Sequence, residues 1–128
     1  MLLLASTSDL IRVNLGSAIA TDAHASWVDL NGTTVTPGRT NTNTSSSGNT
    51  TVMGSPGAST YRTLKHLIIR NDHASSSNDV IVEHFDGTTA STLWKGTLLA
   101  GESIVCDENG VWTKYTSGGL QAIGVNQE

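Results

Sequence analysis

The residues in this sequence that most often bind metals are four histidines and one cysteine: His24, His66, His73, His84 and Cys106. No two of them lie at the short spacing that zinc sites show, and the cysteine has no CxxC partner. His66 and His84 fall in predicted strands, where two ligands could meet across a sheet. Structural or surface histidines explain this scattered pattern better. The sequence therefore predicts neither a metal site nor a cofactor.

The sequence also contains no recognisable motif for nucleophilic or acid–base catalysis. Serine and aspartate are abundant, but the sequence contains no GxSxG pattern that would expose a nucleophilic serine. The adjacent carboxylates Asp107 and Glu108 precede Asn109-Gly110, a turn dipeptide beside which polar side chains are common. The phosphate-binding patterns GxGxxG and GxxxxGK are also absent. We therefore expect a chain that is not an enzyme.

Charge and hydropathy narrow the classes of partner. The formal net charge is −4, and the seven basic residues are scattered from Arg12 to Lys114, which weighs against nucleic acid because phosphate binding needs clustered Lys and Arg. The apolar start Met1–Leu4 has no basic residue before it and is shorter than the roughly 7–15 apolar residues of a signal peptide. No segment approaches the length of a membrane span. We expect a chain made in the cytosol, with neither nucleic acid nor membrane as a partner.

Three tryptophans could bind a ligand by stacking. Trp27, Trp94 and Trp112 each lie in a predicted strand beside aliphatic residues. Exposed, they would suit a carbohydrate-binding module, because aromatic rings stack on sugar rings. Buried, they would supply a core that has few other large apolar side chains. The second interpretation, core or subunit interface, is favoured.

Composition and periodicity predict the elements that must position these residues. The sequence holds 15 Ser, 18 Thr, 9 Asn and 13 Gly, and strong helix formers never cluster at helical spacing. Turn dipeptides at Asn31-Gly32, Asp86-Gly87 and Asn109-Gly110 separate short alternating runs. The predicted fold is an all-β, antiparallel sandwich or jelly roll of about eight strands, without significant helix. The predicted strands are residues 10–15, 19–30, 51–53, 61–71, 79–85, 88–95, 102–106 and 111–115, and residues 19–30 form either one extended strand or two short ones.

The whole chain, 1–128, is predicted to be one domain. Residues 1–8 form either an N-terminal arm that pairs with a neighbour or an ordinary edge strand of the same subunit. Pro37 ends the next region, since proline cannot donate to an interior ladder. Residues 40–51 contain only Thr, Asn, Ser and Gly, which predicts a flexible polar loop; ordering only against a neighbouring subunit is the alternative. Residues 116–128 are predicted to be a weakly structured tail.

Six short segments carry a further signal: residues 25–29, 36–40, 65–71, 82–88, 98–103 and 107–113. They resemble small virion proteins of tailed bacteriophages. The closing pattern in particular, a strand, LLAGES, a second strand and ENGVWT, is common in phage head and tail components. Together the similar segments extend over most of the chain, from about residue 25 to residue 117.

The resemblance implies a capsid decoration (cement) protein, a homodimer or homotrimer on the outer surface of the virion head that binds the major capsid protein and stabilises contacts between capsid subunits. A tail or baseplate protein is the alternative, and a carbohydrate-binding module is a more distant one. Partner contacts are expected from the N-terminal arm and the polar loop. The residues concerned are Met1, Leu2, Leu3, Leu4, Thr40, Asn41, Thr42, Asn43 and Thr44.

Overall fold

A computed structural model of the chain describes residues 2–121, in which every regular element is a β-strand. Alternation of apolar and polar residues, interrupted by turn signals, accounts for most of these strands. In chain order they are β1 Leu3–Leu4, β2 Leu10–Leu15, β3 Thr21–Asn31, β4 Thr34–Thr44, β5 Gly48–Met53, β6 Tyr61–Asn71, β7 Asn78–Phe85, β8 Ala90–Leu98, β9 Ser103–Cys106 and β10 Trp112–Tyr115.

The strands form two antiparallel sheets. The large sheet has the order β10-β9-β6-β3-β4, with β1 also paired to β6, and the small sheet has the order β5-β2-β7-β8. The predicted all-β antiparallel sandwich is confirmed. Residues 2–121 contain ten strands rather than about eight, because β4 was not predicted and β1 was only one of two alternatives for the N-terminal segment.

The core lies between the two sheets and is built by alternation along the strands. In β2 the side chains of Ile11, Val13 and Leu15 are fully buried, while the residues between them face outward. The large sheet contributes Leu67 and Ile69 of β6 from the other side. Burying such a side chain contributes roughly 1.5–3 kcal/mol, so this alternation fixes which face of each sheet points inward.

A bulge in β6 corrects the alternation where the sequence breaks it. Ser26 pairs with His66 but Trp27 pairs with Leu64, which leaves Lys65 as an extra residue without a partner in β3. Because of this extra residue, Leu64 turns into the core and is 1% exposed, whereas Lys65 stays outside. A similar shift at Val52 between β2 and β5 allows Val52 and Met53 to be buried side by side.

The polar segment 40–51 is not the flexible loop that its composition predicts. Residues 40–44 belong to β4, residues 48–51 belong to β5, and only residues 45–47 connect them. The preceding Pro37 does not end a strand but lies inside β4, which is the edge of the large sheet. An edge strand needs only one hydrogen-bonded neighbour, so a Thr- and Asn-rich segment without large apolar side chains can still form one.

The N-terminal segment pairs with its own chain. Leu3 and Leu4 lie opposite Thr63 and Arg62 of β6, and the Leu64 N–H donates to the carbonyl of Leu2 at 2.9 Å. Of the two sequence alternatives, the ordinary edge strand of the same subunit is the one observed. Met1 lies outside the described residues.

The C-terminal tail is only partly described. Its first residues form a turn in which the Thr116 N–H donates to the carbonyl of Leu120 at 2.6 Å, and Tyr115 bridges to Gln121. Residues 122–128 lie outside the described part of the chain. Within residues 2–121 no helical segment has the length and apolar character that crossing a bilayer requires.

Candidate protein-docking surface

Large apolar side chains are exposed mainly on the outer face of the large sheet, at the end formed by the β3–β4 hairpin. Leu3, Leu30, Val35 and Tyr61 are exposed by 47%, 43%, 62% and 54%. The other strongly exposed examples among the described residues, Leu99, Val111 and Leu120, lie in loops elsewhere. The clustering of four such residues on one face marks a candidate interaction surface.

Strand register brings these residues together. Leu30 lies directly opposite both Val35 of β4 and Tyr61 of β6, so the three side chains form one row across the sheet. The next row joins Val28 to Pro37, and Leu3 follows through its pairing with Thr63. We call this surface the apolar patch; it comprises Leu3, Val28, Leu30, Val35, Pro37 and Tyr61.

A two-residue turn sets the register of the patch. Asn31 pairs with Thr34 across Gly32 and Thr33, and Gly32 has φ +60°, a backbone conformation that glycine adopts without steric cost. The turn therefore places Leu30 opposite Val35 and points both outward, because Ala25, five residues before Leu30, points into the core. A shift of β4 by one residue against β3 would move Val35 to the inner face.

An aromatic and ionic cluster supports the patch from the inner face of the same strands. The Arg62 guanidinium lies 4.3 Å from the centroid of the Trp27 ring and donates to both carboxylate oxygens of Asp29, at 2.8 and 3.0 Å. Its third contact is with the carbonyl of Gly54 at 2.8 Å. This planar, bidentate arrangement ties β3 and β6 to the chain that follows β5. The patch therefore lies over a part of the sheet whose strands are joined by side-chain contacts.

The opposite end of the same outer face is polar. A shallow groove of about 320 Å³ is lined by Asp22, His24, Asn41, Asn43 and Arg70, among others. Asn43 Nδ2 donates to Asp22 Oδ1 at 2.6 Å, and His24 Nδ1 lies 2.6 Å from Asn41 Oδ1.

The histidines and the cysteine do not converge. His66 lies in the large sheet and His84 in the small one, so they do not meet across one sheet. Over residues 2–121 no group of three or more His, Cys, Asp or Glu side chains could hold a metal ion. Cys106 is fully buried, and this burial raises the pKa of its thiol. The thiol is thus protonated and shielded at neutral pH.

The other side chains considered as possible functional groups, the three tryptophans and Asp107, have structural roles. Trp27, Trp94 and Trp112 are partly buried and pack against the core. Asp107 Oδ1 accepts the N–H groups of Asn109 and Val111 in the predicted Asn-Gly turn. These contacts place the side chains in core packing and turn formation, which is the interpretation that the sequence favours.

The residues expected to contact a partner differ in their burial and in the surface on which they lie. Leu3 joins the apolar patch, whereas Leu4 is fully buried in its own core and Leu2 packs against that core. In β4, Thr40, Thr42 and Thr44 are half-buried, while Asn41 and Asn43 are exposed beside the polar groove.

Most of the patch was not predicted from the sequence, namely Val28, Leu30, Val35, Pro37 and Tyr61. A local signal existed only for the pair Leu30 and Val35, which flank the Asn31-Gly32 turn at hairpin spacing.

Comparison with known proteins gives no match: no family model, curated protein or solved structure is significantly similar to this chain.

Proposed function

We propose that the chain is a structural binding protein that docks through the apolar patch onto a larger protein assembly. In the setting implied by the sequence resemblance, this assembly is a phage head, and the chain is a capsid decoration protein on its outer surface. Its partner is then the major capsid protein, whose subunit contacts it stabilises. The observation that carries the proposal is the concentration of exposed apolar side chains on one face of the large sheet.

The energetics of the patch suit a repeated assembly. Four side chains that are about half exposed would each contribute roughly 1 kcal/mol on burial, or about 4 kcal/mol together. This is no more than the roughly 4–15 kcal/mol that association costs in lost translational and rotational freedom. One patch by itself therefore binds weakly. A regular shell on which many copies and several contacts act together compensates for this weakness.

A tail or baseplate protein would use the same patch and would differ in its number of copies per particle. The carbohydrate-binding alternative needs an exposed tryptophan, and all three tryptophans pack against the core. No specific observation favours either alternative.

The first test is to count copies of the chain by quantitative mass spectrometry in purified virions separated into heads and tails. A decoration protein is expected in hundreds of copies in the head fraction, since cement proteins cover the whole shell. A few copies in the tail fraction, or none in the particle, would contradict the proposal.

The second test locates the docking surface. Leu30→Glu places a charge in the patch, whereas Leu99→Glu changes a leucine that is at least as exposed but lies in a distant loop, and is the matched control. In a rebinding assay with heads that lack the protein, we expect Leu30→Glu to weaken binding by at least about tenfold, typical of a central interface residue, and Leu99→Glu to bind like wild type. Equal binding by both variants would exclude the patch as the docking surface.

A further inference from the structure

The outer edge of the large sheet is a long strand whose second side has no partner within the described residues. Strand β4 has 11 residues and pairs only with β3, through an uninterrupted register from Asn31↔Thr34 to Asp22↔Asn43 and Thr21↔Thr44. Arg39 is its only charged residue, and no bulge turns the edge away. Edges of this kind are templates for another strand unless they are protected.

The turn identifies which backbone groups of β4 face outward. In a two-residue hairpin the closing pair, here Asn31 and Thr34, is hydrogen-bonded, and the bonded and non-bonded pairs then alternate along the ladder. The odd-numbered residues of β4 therefore point their N–H and C=O groups to the free edge. Pro37 agrees with this pattern, because it occupies one of these positions and needs no donor there. Beyond Pro37, the N–H and C=O groups of residues 39, 41 and 43 all point to the free edge.

We propose that this edge pairs with the same edge of a second copy of the chain, antiparallel about a two-fold axis at Asn41. In this register Asn41 lies opposite its own equivalent, and Arg39 lies opposite Asn43 of the other copy. About six intermolecular backbone hydrogen bonds form, two for each bonded pair. Pro37 falls opposite residue 45, just beyond the end of β4, so the missing N–H costs no bond in the paired run.

Side-chain complementarity favours a second copy as the occupant. Arg39 of one copy would lie about 10 Å from Asp22 of the other, two strand spacings away and within reach of a guanidinium side chain. Asp22 is already held in place by Asn43, and Arg39 has no ion pair among the described residues. On the inner face, Thr40 would lie opposite Thr42 of the other copy, a favourable cross-strand pair.

The dimer has a consequence for docking that rests on the proposed function. The two-fold axis lies six residues from Val35, so the two apolar patches would be separated by about 40 Å along the joined strands and would lie on the same outer face of one continuous sheet. A dimer of this shape contacts two points on a shell at once. Bivalent attachment raises the affinity of two individually weak patches without a new contact.

The test is the mass of the purified full-length chain, measured by sedimentation velocity over a micromolar concentration series. Asn41→Pro removes the central N–H, which faces away from β3, and leaves the β3–β4 ladder intact. Asn41→Ala removes the same side chain but keeps the N–H, and is the matched control. We expect a dimer for wild type and for the alanine variant, and a dimer dissociation constant at least about thirtyfold higher for the proline variant.

Cross-linking tests the register without relying on the proline variant. Asn41→Cys places two thiols on the axis with Cα atoms about 5.5 Å apart, within disulfide range, whereas Arg39→Cys separates them by several residues. We expect an oxidised dimer only for Asn41→Cys, since Cys106 is buried.

A monomeric wild type, an unchanged dimer for Asn41→Pro, or equal cross-linking of both cysteine variants would overturn the inference. None of these results depends on binding to heads, so the failure of this inference and the failure of the proposed function are distinguishable.

Discussion

Trp27 lies so close to Gly38 that adding one methyl group at Gly38 tests the position of the indole ring. A Cβ built on Gly38 would lie 2.5 Å from Trp27 Nε1, 2.7 Å from Cε2 and 2.9 Å from Cζ2. Ordinary contacts begin near 3.5 Å, so Gly38→Ala requires the indole to move by about 1 Å. The ring cannot move freely because the Arg62 guanidinium, fixed by Asp29, stacks on it.

The cost follows from three contributions. Overpacking of this kind costs about 1–3 kcal/mol, and weakening the cation–π contact adds about 0.5–1 kcal/mol. Alanine also restricts the unfolded chain, which returns about 0.4–1 kcal/mol. We therefore expect Gly38→Ala to destabilise the protein by about 2 kcal/mol, which lowers Tm by roughly 5–10 °C for a chain of this size.

Urea unfolding followed by circular dichroism measures this difference. Gly54→Ala is the control, because no atom lies within 4 Å of its added Cβ and its φ is not positive; this variant should be as stable as wild type or slightly more stable. In a Trp27→Phe background the smaller ring should reduce the cost of Gly38→Ala. A Gly38→Ala protein as stable as wild type would refute the placement of the indole over the glycine.

Two further predictions concern charged groups. Asp29→Ala leaves the largely buried Arg62 guanidinium without its carboxylate and should lower the free energy of unfolding in urea by about 2–3 kcal/mol. Lys65→Ala breaks an exposed ion pair and should lower it by less than about 0.5 kcal/mol. Equal losses would contradict the burial of the first pair. Burial alone would raise the pKa of Asp9, but hydrogen bonds from the backbone N–H groups of residues 5 and 6 outweigh it and lower the pKa. The stabilisation is therefore complete above the usual carboxyl pKa and is lost as the pH falls through the lowered value. Asp9→Asn should lose about 1–2 kcal/mol at neutral pH and show a smaller decrease in acid, and an unchanged pH profile of unfolding would argue against these bonds.

The sequence by itself determined the fold class and the elements that have a local cause. The alternation of apolar and polar residues in residues 10–15 predicts a half-buried strand, and the turn dipeptide Asn109-Gly110 predicts a hairpin; the structure contains both. These predictions are possible because the direction of side chains along a strand and the conformation of a turn depend only on neighbouring residues. The apolar run at residues 67–69 likewise predicts an interior strand, and β6 does lie between β3 and β9.

Only the tertiary structure decided the elements whose stability comes from distant partners. Residues 40–44 contain nothing that favours burial, and they form a strand because β3 offers them a ladder. The bulge at Lys65 places Leu64 in the core through pairing with β3, which no local pattern specifies.

The apolar patch joins four strands from three parts of the chain, and its register depends on one turn and one bulge. Local sequence determines which residues alternate along a strand. Pairing between distant strands determines which outward residues meet, and therefore where this protein presents an apolar surface.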